Sequence, residues 1–368
     1  METLYNVDAS YYGAKIRSYL QYKSIPFTEV LGDRVVFSTK ILPNVGWPVI
    51  PVILTEFGET LQDTSDMIDY YELVYSGNSV LPQTASGKAL SYWLELIGDE
   101  WLKLPALHYR WKYNYDFAVL EMGRNNDPSA TADEQLRIGK KIAKTFRDWC
   151  PIHGITEHTG LSIETEYLKF LQLFEKHLSV FPYLLGGQPS LGDFAFFGPL
   201  YAHLYRDPAS GDLMREAAPG VCDWVIRMNS FNSQQPSERC DWVDFESIPE
   251  TLSHLLNHLS RDFVPVIVEE VQALQSWLQT SNDVIMPRYF GDGDLVIGAD
   301  GPHEVSGKRK LTTYGQWMTQ RVLNVFENSD DTEKDKITRL FSCFGACSVL
   351  DIVISIKLGK RNFRLVRE

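Results

Sequence analysis

The segment Ser10-Tyr11-Tyr12-Gly13-Ala14-Lys15-Ile16-Arg17 decides the architecture of the first part of the chain. It follows a short apolar run, Leu4 to Val7. It also opens a stretch, Ser10 to Lys23, in which Tyr12, Ile16, Tyr19 and Leu20 recur at helical spacing until Pro26 intervenes. A strand therefore leads into a helix that begins at Ser10. A helix start presents unpaired backbone N–H groups and the positive end of the helix dipole, so a thiolate or carboxylate is stabilised there. A serine hydroxyl adds one charge-assisted hydrogen bond to such an anion. Serine is equally a preferred N-cap residue, and spacing alone leaves both readings of Ser10 open.

Further along, Phe27 to Leu31 reads as a second strand and Arg34 to Leu42 as a weak helix or irregular connection. Pro51 to Leu54 reads as a third strand, Glu56-Phe57-Gly58-Glu59 as a turn and Thr60 to Gln62 as a fourth strand. Asp63 to Tyr75 then forms a helix with Met67, Ile68 and Tyr71 on one face. The order is that of an α/β module with a right-handed crossover. In Ile50-Pro51-Val52-Ile53 the proline sits at a strand start, where its missing N–H costs nothing. A trans bond is the ordinary expectation, whereas a cis bond would expose the carbonyl and N–H of Ile50 to a peptide-like ligand. Asp63, Thr64 and Ser65 form either a helix-capping cluster or a cradle for an α-amino and α-carboxylate pair.

Behind a polar linker at Pro82 to Ser86 the pattern becomes helical, over Ala89–Leu104, Ala132–Trp149, Ser162–Leu178, Ser190–Tyr205, Val221–Met228 and Thr251–Leu278. Ser190 and Asp193 have capping-box spacing, a folding signal. Strands and turns return at Asp294 to Gly301 and in the closing run Ile352 to Val366, with a helix, Thr313 to Glu327, between them. This organisation predicts domains at 1–82, 88–262 and 263–368.

The chain has 368 residues, enough for two or three domains of roughly 150 residues each. Its 35 Lys and Arg against 48 Asp and Glu give a net charge of −13, which argues against a broad nucleic-acid or anionic-membrane surface. No basic-then-apolar leader and no long apolar run is visible, so neither a signal peptide nor a membrane span is expected. The five cysteines, Cys150, Cys222, Cys240, Cys343 and Cys347, form no CxxC and no disulfide framework, which fits a reducing cytoplasm. His153 and His158 lie in a loop without the cysteine or carboxylate partners of a zinc site, so no metal is expected. Lys308-Arg309-Lys310 and Lys357 to Arg367 are basic islands, read as solvated or internally paired. His203, Arg206 and Asp207 are read as settling a helix end.

Taken together, the order and spacing of four segments resemble the glutathione S-transferase family over about residues 1 to 230. Ser10 to Arg17 resembles that family's S-x-x-x-x-K/R-x-R segment, and Ile50-Pro51-Val52-Ile53 its cis-proline strand. Asp63-Thr64 resembles its acidic-hydroxyl pair before the third helix, and Ser190 with Asp193 its capping box. Gly98 to Trp101, Leu107 to Trp111 and Gly198 to Asp207 resemble a bacterial subgroup with a longer carboxyl-terminal part. The resemblance implies an α/β thioredoxin-like domain, an all-α glutathione S-transferase C-terminal-like domain and a mixed α+β C-terminal extension. It further implies glutathione as cosubstrate, with Asp63 and Thr64 at its γ-glutamyl end, Ile50 and a cis Pro51 at its cysteinyl part, and Ser10 facing the sulfur. Tyr11 and Tyr5 rank behind Ser10: Tyr11 stands where many relatives have proline, and Tyr5 is one position out of register. The absence of cysteine before Cys150 argues against thiol reductase chemistry at this site. His108 and Trp111, with Arg110 and Trp101, are candidates to line an electrophile pocket or simply pack between helices. The expected activity is attack of activated glutathione on a small apolar electrophile, in a cytoplasmic homodimer. The alternative is a non-catalytic binding or interaction protein of the same fold.

Overall fold

A computed structural model of the chain describes residues 1–77, 79–231 and 241–368. Cys240 lies outside the described residues; Cys150 and Cys222 are buried, Cys343 is exposed and Cys347 partly exposed, and among the described residues these four form no disulfide. Two compact units interleave in sequence. The first comprises Met1–Val80, Ala106–Trp149 and the described part of Phe194–Glu238; the second comprises Leu81–Pro105, Cys150–Asp193 and the described part of Arg239–Glu368.

The first unit is organised around β1 (Glu2–Asn6), in which Leu4, Tyr5 and Asn6 are all buried. β1 pairs in parallel with β2 (Phe27–Leu31), through the crossover helix α1 (Tyr11–Tyr22). On its other side it pairs antiparallel with β3 (Val52–Leu54), which forms a hairpin with β4 (Thr60–Gln62), giving the order β2-β1-β3-β4. The hairpin turn contains Gly58 at φ 86°, a left-handed conformation that glycine adopts without steric cost. Behind the sheet, the helix Thr64–Val74 buries Met67, Ile68 and Tyr71 completely, on the one face that their spacing predicts. The segment read as a weak helix from Arg34 is two short helical pieces separated by a π-helical turn at Phe37–Ile41. These elements form the expected thioredoxin-like layer.

Two helices absent from the sequence reading, Tyr115–Asn126 and Pro208–Ala217, join the expected Ala132–Arg147 and Pro219–Met228 in this unit. Tyr115–Asn126 and Ala132–Arg147 approach backbone to backbone. A methyl group at Gly139 would stand 1.9 Å from the Val119 carbonyl oxygen, and one at Gly123 1.9 Å from that of Gln135.

In the second unit, Trp93 of the helix Ala85–Leu96 is fully buried, with Phe263 and Phe341 ring centroids at 5.5 and 6.3 Å. The first partner belongs to the long helix Glu250–Thr280, which runs across residue 262; the second belongs to Asp331–Ser342. The C-terminal residues therefore share a core with helices earlier in the chain. β5 (Tyr289–Ile297) and β6 (Val305–Thr312) form a hairpin in which the basic island proves to be a strand. Arg309 turns inward to Glu270 at 2.7 Å, while Lys310 turns outward to Asp292 at 2.6 Å. Tyr314–Glu327 follows as expected, and its Arg321 pairs with buried Glu95 at 3.2 Å. The closing hairpin, β7 (Leu358–Arg361) and β8 (Arg364–Arg367), seats Leu358 against Leu274, Leu278 and Met286. Among the described residues no helix is long and apolar enough to cross a membrane.

Replacing a helix-interior glycine with alanine ordinarily gains about 1 kcal/mol. At Gly139 the overlap with a backbone oxygen outweighs that gain, and Gly139→Ala is expected to destabilise the fold by about 1–3 kcal/mol in urea unfolding.

Candidate functional site

The β1-to-α1 connection is a turn closed by the Ser10 N–H, which donates to the Val7 carbonyl at 2.8 Å, leaving Asp8 and Ala9 at its centre. Ser10 then caps α1: its backbone is extended, and its Oγ accepts the Gly13 N–H at 3.0 Å. That bond uses one lone pair and leaves the hydroxyl proton as a donor. Ser10 is partly exposed, and the first turn of α1 carries no acidic side chain to offset its dipole. Gly13 is required for close approach, since a methyl group there would fall 1.7 Å from Oδ1 of buried Asn6.

The bond between Ile50 and Pro51 is cis. Pro51 is buried, Ile50 is partly exposed, and no hydrogen bond engages the Ile50 backbone among the described residues. Asp63 adopts φ 77°, and its Oδ1 accepts the Ser65 N–H at 2.9 Å, so it caps the helix Thr64–Val74. Thr64 and Ser65 are buried. Sheet register brings these segments together: Tyr5 pairs with Val52, and Val52 with Gln62. The chain therefore leaves β1 toward Ser10, enters β3 from Ile50–Pro51 and leaves β4 toward Asp63 at one end of the sheet.

The other candidates lie in packed surroundings. Tyr5 is buried within the sheet, and the Tyr11 ring lies between Tyr12 and His203, with centroids 4.7 and 6.1 Å away. His108 is buried beside Tyr109 and Tyr113, at 5.6 and 6.2 Å. Trp111 is buried with Tyr115 at 6.5 Å, and its Nε1 has no hydrogen-bond partner among the described residues. Among the described residues no cluster of three or more His, Cys, Asp or Glu could hold a metal ion.

Sequence reasoning missed the side chains that hold the Ser10 turn. The Asp8 carboxylate accepts from Arg17 at 2.7 Å and from the Tyr201 hydroxyl at 3.1 Å, and pairs with Arg206 at 3.0 Å. Burial works against its charge, but Arg206 and Arg17 outweigh it and hold the carboxyl below the usual range. Arg206 also pairs with Glu121. Arg110, only 2% exposed, grips Asp207 through two hydrogen bonds of 2.8 and 2.6 Å. It reaches the Ala202 carbonyl at 3.0 Å and that of Ala9, inside the turn, at 3.5 Å. His203 is buried, its ring 6.1 Å from that of Tyr11; burial, with Arg110 and Arg206 nearby, pushes its protonation well below the ordinary histidine range. Arg206 and Asp207, which follow the π-helical segment Leu200–Tyr205, thus anchor the turn, and His203 lies within that segment. No short-range motif announces such contacts, because the partners come from distant segments.

Two outcomes follow from this geometry. Asp207→Ala leaves the Arg110 guanidinium buried without its carboxylate and is expected to cost about 3–5 kcal/mol in urea unfolding. His203 takes up a proton more readily in the unfolded chain, so its contribution to stability is lost as pH falls below about 6.5. His203→Gln should therefore show a smaller loss of stability between pH 7 and pH 5 than the wild type, in unfolding curves at both values.

Comparison with family models agrees with this architecture. Residues 4–79 match the family model described as Glutathione S-transferase, N-terminal domain, and residues 155–232 that described as Glutathione S-transferase, C-terminal domain. Among solved structures, a glutathione S-transferase from Rhodospirillum rubrum F11 is 18% identical, with a TM-score of 0.42, covering 69% of this chain and 99% of its own. The beta-etherase LigF from Sphingobium sp. strain SYK-6 is 19% identical, with a TM-score of 0.44, covering 62% of this chain and 95% of its own. A glutathione S-transferase from Methylobacterium radiotolerans, solved with glutathione sulfonate, is 17% identical, with a TM-score of 0.39, covering 65% and 98%. A comparison with curated proteins gives no match. Residues 4–79 and 155–232 therefore carry the two domains of the glutathione S-transferase family in order, with further C-terminal strands and helices behind them.

Proposed function

We propose that the chain binds glutathione and activates its thiol for attack on a small apolar electrophile. The observation that carries this reading is the convergence of the Ser10 cap, the cis Ile50–Pro51 bond and the Asp63 cap at one end of a sheet inside a matched glutathione S-transferase N-terminal domain. In this reading residues 1–82 form the glutathione-binding domain. The unengaged Ile50 backbone pairs with the cysteinyl residue of the tripeptide. Asp63 takes the γ-glutamyl ammonium, and Thr64, with helix-terminal N–H groups, its carboxylate.

The Ser10 hydroxyl donates to the sulfur while its oxygen continues to cap α1. A free thiol has a pKa near 8.5 and is only a few per cent thiolate at pH 7; a hydroxyl donor and a helix terminus together supply about one or two units of depression. Tyr11 and Tyr5 are weaker candidates because their rings are buried. The electrophile is received by helical-domain residues, with His108 and Trp111 as candidates. A homodimer in the cytoplasm completes the reading, on family resemblance.

Calorimetry with millimolar glutathione tests binding directly, and the absence of heat at that concentration would refute the proposal. Ser10→Ala should retain binding and lose about tenfold to a hundredfold in turnover of an activated aryl chloride, the worth of one hydrogen bond to an anion. Ser10→Asp keeps a good cap but places a charge against the thiolate. It should match wild-type stability and lose more turnover than Ser10→Ala; unchanged turnover in both variants would remove Ser10 from the chemistry, and binding without turnover in the wild type would favour the non-catalytic alternative. Asp63→Asn preserves the acceptor for the Ser65 N–H and removes the charge, and should weaken glutathione binding by about tenfold or more with little change in stability.

A further inference from the structure

An anion held at the start of α1 lies two residues along the chain from the Asp8 carboxylate, whose side chain is 47% exposed. Left alone, that carboxylate would oppose the anion. Its surroundings indicate how the opposition is removed. From α1, Arg17 reaches it at 2.7 Å; from beyond the π-helical segment Leu200–Tyr205, Arg206 reaches it at 3.0 Å, with the Tyr201 hydroxyl between them at 3.1 Å. The two guanidinium groups also lie 5.2 and 5.9 Å from the Tyr201 ring centroid. Each arginine has a second acid behind it: Glu29 of β2 lies 3.5 Å from Arg17, and Glu121 pairs with Arg206. On the far side of the turn, Arg110 is committed to Asp207 and the Ala9 carbonyl, and His203 is held neutral.

We propose that Arg206 is a positioning residue for the Ser10 turn: together with Arg17 it clamps and neutralises Asp8, so that an anion at the start of α1 meets helix-terminal donors without a competing negative charge. The functional meaning rests on the proposed role of Ser10; the electrostatic claim stands on the turn itself. Arg206 acts through Asp8 and does not touch the anion. It also ties this turn to the helix Tyr115–Asn126 through Glu121, so a change in the helical residues is transmitted to the electrostatics at Ser10.

The test places a thiol at the position itself. In a Ser10→Cys protein, the rate of iodoacetamide alkylation at residue 10 is followed against pH by mass spectrometry of the N-terminal peptide, which separates it from the other cysteines. Arg206→Gln in this background should raise the midpoint by about half a unit to one unit, and Asp8→Asn should lower it by a similar amount. The double variant should return close to the Ser10→Cys parent, and Arg206→Lys should stay within about a quarter of the Arg206→Gln shift. A merely structural role for Arg206 would reduce the melting temperature and leave every midpoint unmoved, and that result overturns the proposal. Should Arg206→Gln fail to fold by circular dichroism, the Asp8→Asn arm decides alone, because it retains both arginines; an unchanged or raised midpoint there is contradictory. The measurement needs no glutathione, so a failure of the wild type to bind glutathione refutes the ligand reading separately.

Discussion

Everything the first unit offers to an anion depends on one turn, Val7 to Ser10, closed by a single 2.8 Å hydrogen bond and held from outside by arginines. The turn fixes where α1 starts, and the start of α1 fixes where unpaired N–H groups point. Gly13 permits the helix to lie against Asn6 closely enough for that start to stand at the end of β1. The sheet register then aligns the entry to β3 and the exit from β4 with the same end. Local backbone geometry, rather than a deep charged pocket, is therefore what the fold assembles there.

This division of labour fits the charge of the whole molecule. A net charge of −13 repels an anionic tripeptide at long range, so recognition has to come from short-range donors and backbone groups. Three acidic residues of this unit are engaged by a cation or an amide. Asp8 faces Arg17 and Arg206, Glu29 accepts from Asn6 and lies near Arg17, and Asp207 is gripped by Arg110. The buried pair Arg110–Asp207 adds little net stability, because desolvation consumes most of the attraction, and the more exposed pairs on Asp8 are screened by solvent. Their value here lies in fixing geometry and cancelling charge beside a helix terminus.

The α/β layer was legible because its periods are clear and its breaks are marked by Pro26, Pro51 and Gly58. The cis bond before Pro51 was legible only through family resemblance, since composition favours trans. Helix Tyr115–Asn126 escaped because its contact face uses Gly123 and backbone atoms rather than large apolar side chains. Asp331–Ser342 escaped because it opens on charged residues and its apolar face, Ile337, Leu340 and Phe341, gathers only near its end. The strand at Lys308 to Lys310 was hidden by three adjacent cations, whose alternation sends Arg309 inward to Glu270. The arginine clamp on Asp8 was beyond reach, because helical residues far along the chain supply Arg206 and Tyr201.

The central claim is that this turn and helix start turn bound glutathione into a thiolate. Titrating the ultraviolet thiolate absorbance of glutathione in the presence of excess protein tests it most directly. The account predicts a midpoint about one or two units below the free-thiol value near 8.5, moving back toward it in Ser10→Ala. A midpoint for the bound thiol that equals the free value, or one indifferent to Ser10, would contradict it.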